Sequence, residues 1–313
     1  MSTRPVRVGL DVGGTKIDAV AVAPDGEILG RLRRPTGWGE DAVVDSIVQA
    51  VTALARETGL ALTDIGSVGI GIPGVVDVDG GRVIHAVNLG VESLDLAARA
   101  QAALGMPFRV ENDVKAAALG AAVLRGASES MAYLNLGTGV AAGIVFGGRI
   151  HRGARGTAGE VGHISVDPNG RLCGCGQRGC IETFCGGGAL AKAWGRPGAL
   201  PVQDILDAAD AGDPAAIALR DDLHHGAAAA VRVLVLSADV ETVVIGGGLT
   251  ALGSRLEDGI RAALRADAER SAFMSTLRLD ERIEILAAGS PAAAFGAALI
   301  GASVSEKEIV FHG

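Results

Sequence analysis

Apolar and polar positions along the chain fall into two rounds of strand, glycine turn and strand, each followed by helices. Val6–Asp11 forms a short apolar strand that ends on an aspartate and the turn Val12-Gly13-Gly14-Thr15. Ile17–Val22 reads as a second strand, Pro24-Asp25-Gly26 as a turn and Glu27–Arg33 as a third strand, the turn chemistry of a hairpin meander. From Glu40 to Glu57 the apolar residues 43, 44, 47, 48, 51, 54 and 55 recur at helical spacing. A buried strand over Ser67–Ile72 runs into Pro73-Gly74, followed by a strand at Arg82–Ala86, a helix at Leu94–Ala103, a strand at Phe108–Glu111 and a helix at Val114–Val123. Leaving aside the short strand at Arg82–Ala86, the order up to Glu111 is β-β-β-α-β-α-β. Met131–Leu136, Gly137-Thr138-Gly139 and Val140–Phe146 then repeat the opening unit of strand, glycine-threonine turn and strand. Helices are expected at Val202–Ala211, from Pro214 (N-capped by Asp213) to about Ser237, near Ser254–Ala268 and at Pro291–Ser303, with strands at Glu241–Ile245 and Ile283–Ala287.

At 313 residues the chain is long enough for two domains. Apolar residues make up 49% and charged ones 20%, an ordinary globular balance. Aromatics are scarce at 3% while glycine reaches 47 residues, which favours a tightly packed α/β protein with many glycine turns. The formal charge of −8 disfavours a general nucleic-acid surface. No apolar run reaches the ~18 residues of a membrane span, and MSTRPVRVGLDVGG does not read as a signal peptide. With no disulfide framework, a cytoplasmic protein is expected.

The segment Glu160–Glu182 concentrates the chemistry. His163, Cys173, Cys175 and Cys180 lie within eighteen residues, with three glycines among the cysteines. Three thiolates and an imidazole form a closed tetrahedral set for Zn²⁺, with no position left for water, so the metal is expected to be structural. Unrelated thiols or a disulfide pair are the plainer alternatives; a chain with only four cysteines, three of them gathered around a histidine, favours the metal. Glu160 and Glu182 bracket the cluster without being needed as ligands.

Three glycine turns stand at strand ends. Asp11-Val-Gly13-Gly14-Thr15 places a carboxylate beside backbone amides open to phosphate, and Asp11 could hold Mg²⁺ through water. Gly137-Thr138-Gly139 offers a second cradle, and Gly246-Gly247-Gly248 a flat floor for a ribose or base. Each alone reads as a tight turn; together, with two in duplicated units, they point to a nucleotide. No G-K-[ST] follows, so this is not a Walker A loop. Gly69–Gly74 matches G-x-G-x-x-G by letter, but the residues that follow do not open a helix, so a Rossmann site is not expected. At the strand-to-helix transition Asn112-Asp113, position alone leaves Asp113 either an N-cap or a carboxylate facing a cleft.

These segments resemble the ROK family (repressors, uncharacterised frames and sugar kinases) of the actin-like sugar kinase superfamily. The resemblance rests on DVGGTKIDA from Asp11, GIGIPG from Gly69, ENDVKAAALG from Glu111, LNLGTG from Leu134, the Gly159–Glu182 stretch and VVIGGG from Val243. It implies two actin-like (ribonuclease H-like) βββαβαβ lobes around an interlobe cleft, with the structural zinc loop in the larger one. The small lobe would take residues 1–112 plus 291–313, and the large lobe 113–290. ATP with Mg²⁺ would bind between the glycine turns, through Asp11, Gly13, Gly14, Thr15, Lys16, Gly137, Thr138, Gly139, Gly247 and Gly248. Asp113 matches the family's catalytic base, and Asn112, Glu160, His163 and Glu182 match its sugar contacts. His163 would then use one ring nitrogen for zinc and the other for the sugar. A hexose is the implied acceptor, with glucose placed first on family frequency, and a homodimer or higher homo-oligomer is implied.

Departures and rivals bear on the substrate. Glucose-type members often carry a tryptophan shortly after their Asn-Leu, whereas here Asn88-Leu89 is followed by Gly-Val-Glu-Ser, so a wall of the sugar pocket differs. Glu92 in that loop is expected to face solvent. An N-acetylhexosamine, fructose, mannose or allose remains an alternative acceptor. Polyphosphate is an alternative donor, for which Arg149, Arg152 and Arg155 would have to line a groove rather than a solvated face. The remaining rival is a non-catalytic sugar-sensing regulator. With the first strand expected from Val6, a helix-turn-helix ahead of it is not expected. Cys185 is expected to be a small packed residue, and His224 and His225 structural.

Overall fold

The computed structural model describes residues 5–126 and 130–302. It divides into two compact units, one of Met1–Ser128, Gly147–Ile150 and Pro291–Gly313, the other of Glu129–Phe146 and His151–Ser290. In the first, β1 (Val6–Val12), β2 (Lys16–Val22) and β3 (Ile28–Pro35) form an antiparallel meander. Helix α1 (Glu40–Thr58) leads to β4 (Ile65–Ile72), parallel to β1. A small sheet of β5 (Val75–Asp77), β6 (Arg82–Ala86) and β7 (Val91–Leu94) follows, then α2 (Leu96–Leu104), β8 (Phe108–Asn112), parallel to β4, and α3 (Asp113–Leu124).

The second unit opens with β9 (Met131–Leu136) and β10 (Val140–Phe146), followed by β11 (Arg149–His151), whose Arg149 and Ile150 fall to the first unit. Five helices come next: α4 (Ile181–Cys185), α5 (Gly187–Trp194), α6 (Pro201–Asp210), α7 (Pro214–Ala238) and, after β12 (Thr242–Gly246), α8 (Ser254–Glu269). Then follow α9 (Ala272–Leu277) and β13 (Ile283–Ile285), and α10 (Ala292–Gly301) returns to the first unit. The main sheets run β3-β2-β1-β4-β8 and β11-β10-β9-β12-β13, the same order twice. The duplication visible as two strand-turn-strand segments therefore extends to the whole sheet.

Local chemistry explains the elements. In α1 the helical stripe Val43, Val44, Ile47, Val51 and Leu54 is buried, with the helix packed on β2 and β3, Glu40 and Asp41 favour its positive N-terminus, and Gly59 closes it in the left-handed region at φ 71°. Asp213 caps α7 by accepting the Ala215 and Ala216 N–H groups at 2.9 and 3.2 Å, with Pro214 as its first residue. Helices α3 and α10 cross almost backbone to backbone. A Cβ on Gly120 would lie 1.9 Å from the Ala292 carbonyl, and one on Gly296 only 1.8 Å from that of Ala116. This crossing holds α3 in the first unit, so the division between units falls after Ser128 and not at the start of α3.

The strands and helices expected from periodicity form within two residues of their expected ends; the part of the last helix expected beyond residue 302 lies outside the described residues. The glycine run after β4 enters β5 and not a helix, in line with setting the Rossmann reading aside. Strands β5, β7 and β11, of three or four residues, carry no usable periodicity, and α5 begins inside the run Gly186-Gly187-Gly188, which reads as loop. Among the described residues no helix is long and apolar enough to cross a membrane.

Candidate functional site

In the first unit, Asp11 sits one residue before the end of β1, opposite Asp18 on β2. Lys16 and Arg33 pair with Asp18, at 3.8 and 2.5 Å. Burial, reinforced by the carboxylates of Asp113 and Asp18 and opposed by Lys16 and Arg33, pushes Asp11 up to about 7. A buried carboxylate opposed by neighbouring carboxylates in this way is a donor suited to a divalent cation, which relieves the repulsion. The adjoining turn is closed by the Gly13 N–H on the Lys16 carbonyl at 2.9 Å. Gly14 abuts the Asn88 carbonyl, 2.8 Å from where a Cβ would stand.

The strand-to-helix junction resolves what position alone left open. The N-cap is Asn112, whose Oδ1 accepts the Val114 and Lys115 N–H groups at 3.1 and 3.2 Å, while its Nδ2 lies 3.4 Å from the Gly74 carbonyl. Asp113 is the first helical residue. Its Oδ1 accepts the Val114 N–H at 2.9 Å, so the carboxylate stands at the positive end of α3 without carrying the cap. Glu111 and Lys115, which the sequence reading passed over, are both buried on either side of it, and Glu111 Oε1 accepts the Asn112 N–H at 3.0 Å.

In the second unit, the turn Gly137–Gly139 is braced by α5, whose Gly187 and Gly188 N–H groups donate to the Gly137 and Thr138 carbonyls at 2.8 and 2.9 Å. Gly247, at φ 91°, lies against the end of β9, where a Cβ would stand 2.4 Å from the Leu136 carbonyl. The second and third glycine turns are thus brought together. Glu182, on α4, reaches the same place: its Oε2 accepts the Val140 N–H at 2.9 Å. Glu160 precedes the short 3₁₀ turn Val161–His163, and the Ile181 N–H on the Ile164 carbonyl at 3.0 Å ties that turn to α4.

The ligand atoms of His163, Cys173, Cys175 and Cys180 all lie within 4.8 Å of one another. Cys175 and Cys180 sulfurs are 3.6 Å apart, and the Cys173 sulfur is 3.8 Å from His163 Nδ1. Ligands on one tetrahedral Zn²⁺ stand about 3.5–3.8 Å apart, given Zn–S of ~2.3 Å and Zn–N of ~2.0 Å. A disulfide would need ~2.05 Å. The set therefore fits zinc, with His163 Nδ1 on the metal side and Nε2 on the other. Cys175 and Cys180 start from different states. The Gln177 backbone N–H leads in holding Cys175 down to about 6, and burial pushes Cys180 up to about 12.

Arg171 is an anchor that no sequence signal announced. It donates to the Thr183 carbonyl through Nε at 3.0 Å, pairs with Asp222 on α7 at 2.7 Å and lies 5.2 Å over the Phe184 ring. The cysteine loop is thereby fastened to α4 and α7. Cys185 is fully buried, and Glu92 is exposed. His224 packs on α8, with Nε2 3.1 Å from the Arg255 carbonyl.

Known proteins share this chain's sequence pattern and fold. The sequence profile described as "ROK family" matches residues 7–303. The chain belongs to the ROK family. It is 32% identical over 281 residues to a glucokinase of Halalkalibacterium halodurans, covering 83% of this chain and 85% of that protein. A ROK hexokinase structure from Thermus thermophilus matches with a TM-score of 0.77 at 32% identity, over 95% of this chain and 97% of the other. A ROK glucokinase from Streptomyces griseus, solved with glucose and AMPPNP, matches with a TM-score of 0.76 at 30% identity, over 95% and 99%. The likeness is thus to glucokinase-type members, along nearly their full length.

Proposed function

We propose that this chain is an ATP-dependent hexose kinase that transfers the γ-phosphate to a sugar hydroxyl, with the 6-hydroxyl of glucose as the first acceptor to test. The likeness to a glucokinase solved with glucose and AMPPNP, extending over 95% of the chain, carries the reading. Asp113 takes the proton of the attacking hydroxyl, the new bond forms between that oxygen and the γ-phosphorus, and the bond to the bridging oxygen breaks to leave ADP. The protein's contribution is then positioning and electrostatics, because phosphoryl transfer asks little covalent chemistry of it. Mg²⁺ supplies charge neutralisation at the phosphates, and Asp11 is the residue that would hold it, through water. Backbone amides of Gly14 and Thr15 and of Thr138 and Gly139 receive phosphate oxygens, while the Gly13 and Gly137 amides close their turns on the Lys16 and Gly139 carbonyls, and Gly247 and Gly248 underlie the nucleoside.

Asn112, Glu160, His163 and Glu182 bind the sugar. Carboxylates suit a polyol, since each accepts hydrogen bonds from neighbouring hydroxyls. His163 supports zinc through Nδ1 and the sugar through Nε2, and ligation fixes that tautomer. Zinc is structural in this reading: it holds Glu160, His163 and Glu182 in one frame. Sugar and nucleotide are soluble substrates, in keeping with cytoplasmic work by a homodimer or higher homo-oligomer. The test is phosphorus NMR of products formed from Mg-ATP with glucose, mannose, fructose and N-acetylated hexosamines. Glucose 6-phosphate is expected; another sugar phosphate would move the acceptor, and no sugar phosphate would overturn the reading.

A further inference from the structure

Four residues, Thr36–Gly39, join β3 to α1, and they are held unusually firmly. The Thr36 N–H donates to the Thr15 carbonyl at 3.1 Å, the Gly37 N–H to Ser46 Oγ at 2.9 Å and the Gly39 N–H to the Leu89 carbonyl at 2.8 Å. The loop is therefore pinned to the first glycine turn, to α1 and to the Asn88-Leu89-Gly90 turn. Trp38 stands in the middle of it, 69% exposed. Its indole lies against Gly90, where a Cβ would be 2.6 Å from Cε2 and Nε1. Gly90 is in the left-handed region at φ 67°, so both its conformation and its lack of a side chain admit the ring.

The other side of that turn meets the first glycine turn, since the Asn88 carbonyl abuts Gly14. Val87, next to Asn88, and Val75, next to Gly74, are 76% and 56% exposed. A single exposed aromatic is ordinary on a protein surface. This one is rigidly held beside the segment in which the sequence departs from glucose-type members. A second observation comes from the same loop. The Thr36 hydroxyl is the one buried side-chain polar atom without a hydrogen-bond partner among the described residues. Leaving it so costs about 1–3 kcal/mol, which a hydrogen bond to a ligand would offset.

We propose that Trp38 is a specificity-determining residue: its indole forms an aromatic platform for the C–H face of the acceptor sugar. The inference rests on the hexose-kinase reading and adds a wall to its acceptor subsite. A pyranose presents an apolar face of axial hydrogens that an indole covers at little entropic cost, since the ring is already fixed by Gly90. The tryptophan lacking after Asn88-Leu89 is thus supplied from a different part of the chain.

The experiment uses the full chain and the hexose it phosphorylates best. Trp194, the other tryptophan, is 8% exposed, so iodide quenching reports mainly on Trp38. Saturating sugar alone is expected to shield Trp38 from iodide, and nucleotide alone is not. Trp38→Ala is expected to raise the sugar KM about ten-fold with the ATP KM nearly unchanged, and Trp38→Phe to restore most of the loss. Thr36→Val is expected to raise the sugar KM without lowering the melting temperature. An unchanged sugar KM in Trp38→Ala, or quenching that responds to nucleotide and not to sugar, would overturn the proposal. A wild-type protein that phosphorylates no hexose would defeat the kinase reading instead. Shielding of Trp38 across the same sugar panel would then decide the platform separately.

Discussion

Glu182 accepts the Val140 N–H through Oε2 at 2.9 Å, so the helix that follows the last zinc-site cysteine is bonded to the strand that leaves the second glycine turn. The same oxygen would lie 2.6 Å from a Cβ on Gly139. One carboxylate thus depends on the geometry of both neighbours, and in the proposed reading its Oε1 takes a substrate hydroxyl.

Gly139→Ala is therefore expected to displace Glu182 and to raise the sugar KM at least ten-fold, with a stability loss of about 1–3 kcal/mol from overpacking. Glu182→Gln, which retains an acceptor for Val140, is expected to melt like the wild type while binding sugar more weakly. Steady-state kinetics beside thermal melts check both; a normal sugar KM in Gly139→Ala would break the link.

Zinc is expected at one ion per chain by elemental analysis. Cys173→Ser or exhaustive chelation is expected to remove it and to lower stability by about 3–4 kcal/mol, the linkage expected when free metal stands at a few hundred to a thousand times its Kd. Sugar affinity is expected to fall with it, because Glu160, His163 and Glu182 are framed by the cysteine loop. A metal-stripped, folded protein with unchanged sugar affinity would contradict a framing role.

How much of this was legible in the sequence depends on the length of each signal. The repeated strand-turn-strand opening and helices α1, α7 and α8 were legible from apolar stripes that run over many turns, while the doubled βββαβαβ fold was implied by the family resemblance and its sheet order needed the backbone. The three-cysteine, one-histidine set was legible because its four residues sit within eighteen. Position alone left Asp113 either an N-cap or a carboxylate facing a cleft, and the cap hydrogen bonds belong to Asn112; two adjacent capping residues cannot be ranked without the backbone. Arg171, Trp38 and the buried Glu111 and Lys115 act through partners distant in sequence or through burial, and no local pattern marks either.

Gly296→Ala tests the crossing of α3 and α10. Its Cβ would fall 1.8 Å from the Ala116 carbonyl, backbone that cannot rotate away. The variant is expected to lose about 3 kcal/mol or to fail to accumulate, by denaturant unfolding or soluble yield. Since α3 begins with Asp113, any folded remnant is expected to show a lower kcat as well.

His224 gives the stability an acid limb. Burial leads in lowering its pKa, with Arg220 and His225 adding to the effect and the Arg255 carbonyl and Asp221 opposing it. The folded protein thus holds the ring neutral, while the unfolded chain takes up a proton near its ordinary pKa of about 6.5. Unfolded protein binds more protons in that range, so stability falls as pH drops below about 6.5 and is fully present above it. The melting temperature of His224→Gln is expected to change less than that of the wild type between pH ~7.5 and ~5.5, with zinc kept saturating. Equal pH dependence in the two would remove His224 from the explanation.

The most direct test of the central claim is ADP release from Mg-ATP in the presence of glucose, measured for the wild type and for Asp113→Asn. The wild type is expected to turn over, and the variant to lose about 10²–10⁴-fold in kcat while still binding sugar, because only proton acceptance is removed. Turnover undiminished in Asp113→Asn would contradict the role given to that carboxylate. A wild type that releases no ADP with any hexose, though folded and zinc-loaded, would contradict the kinase itself.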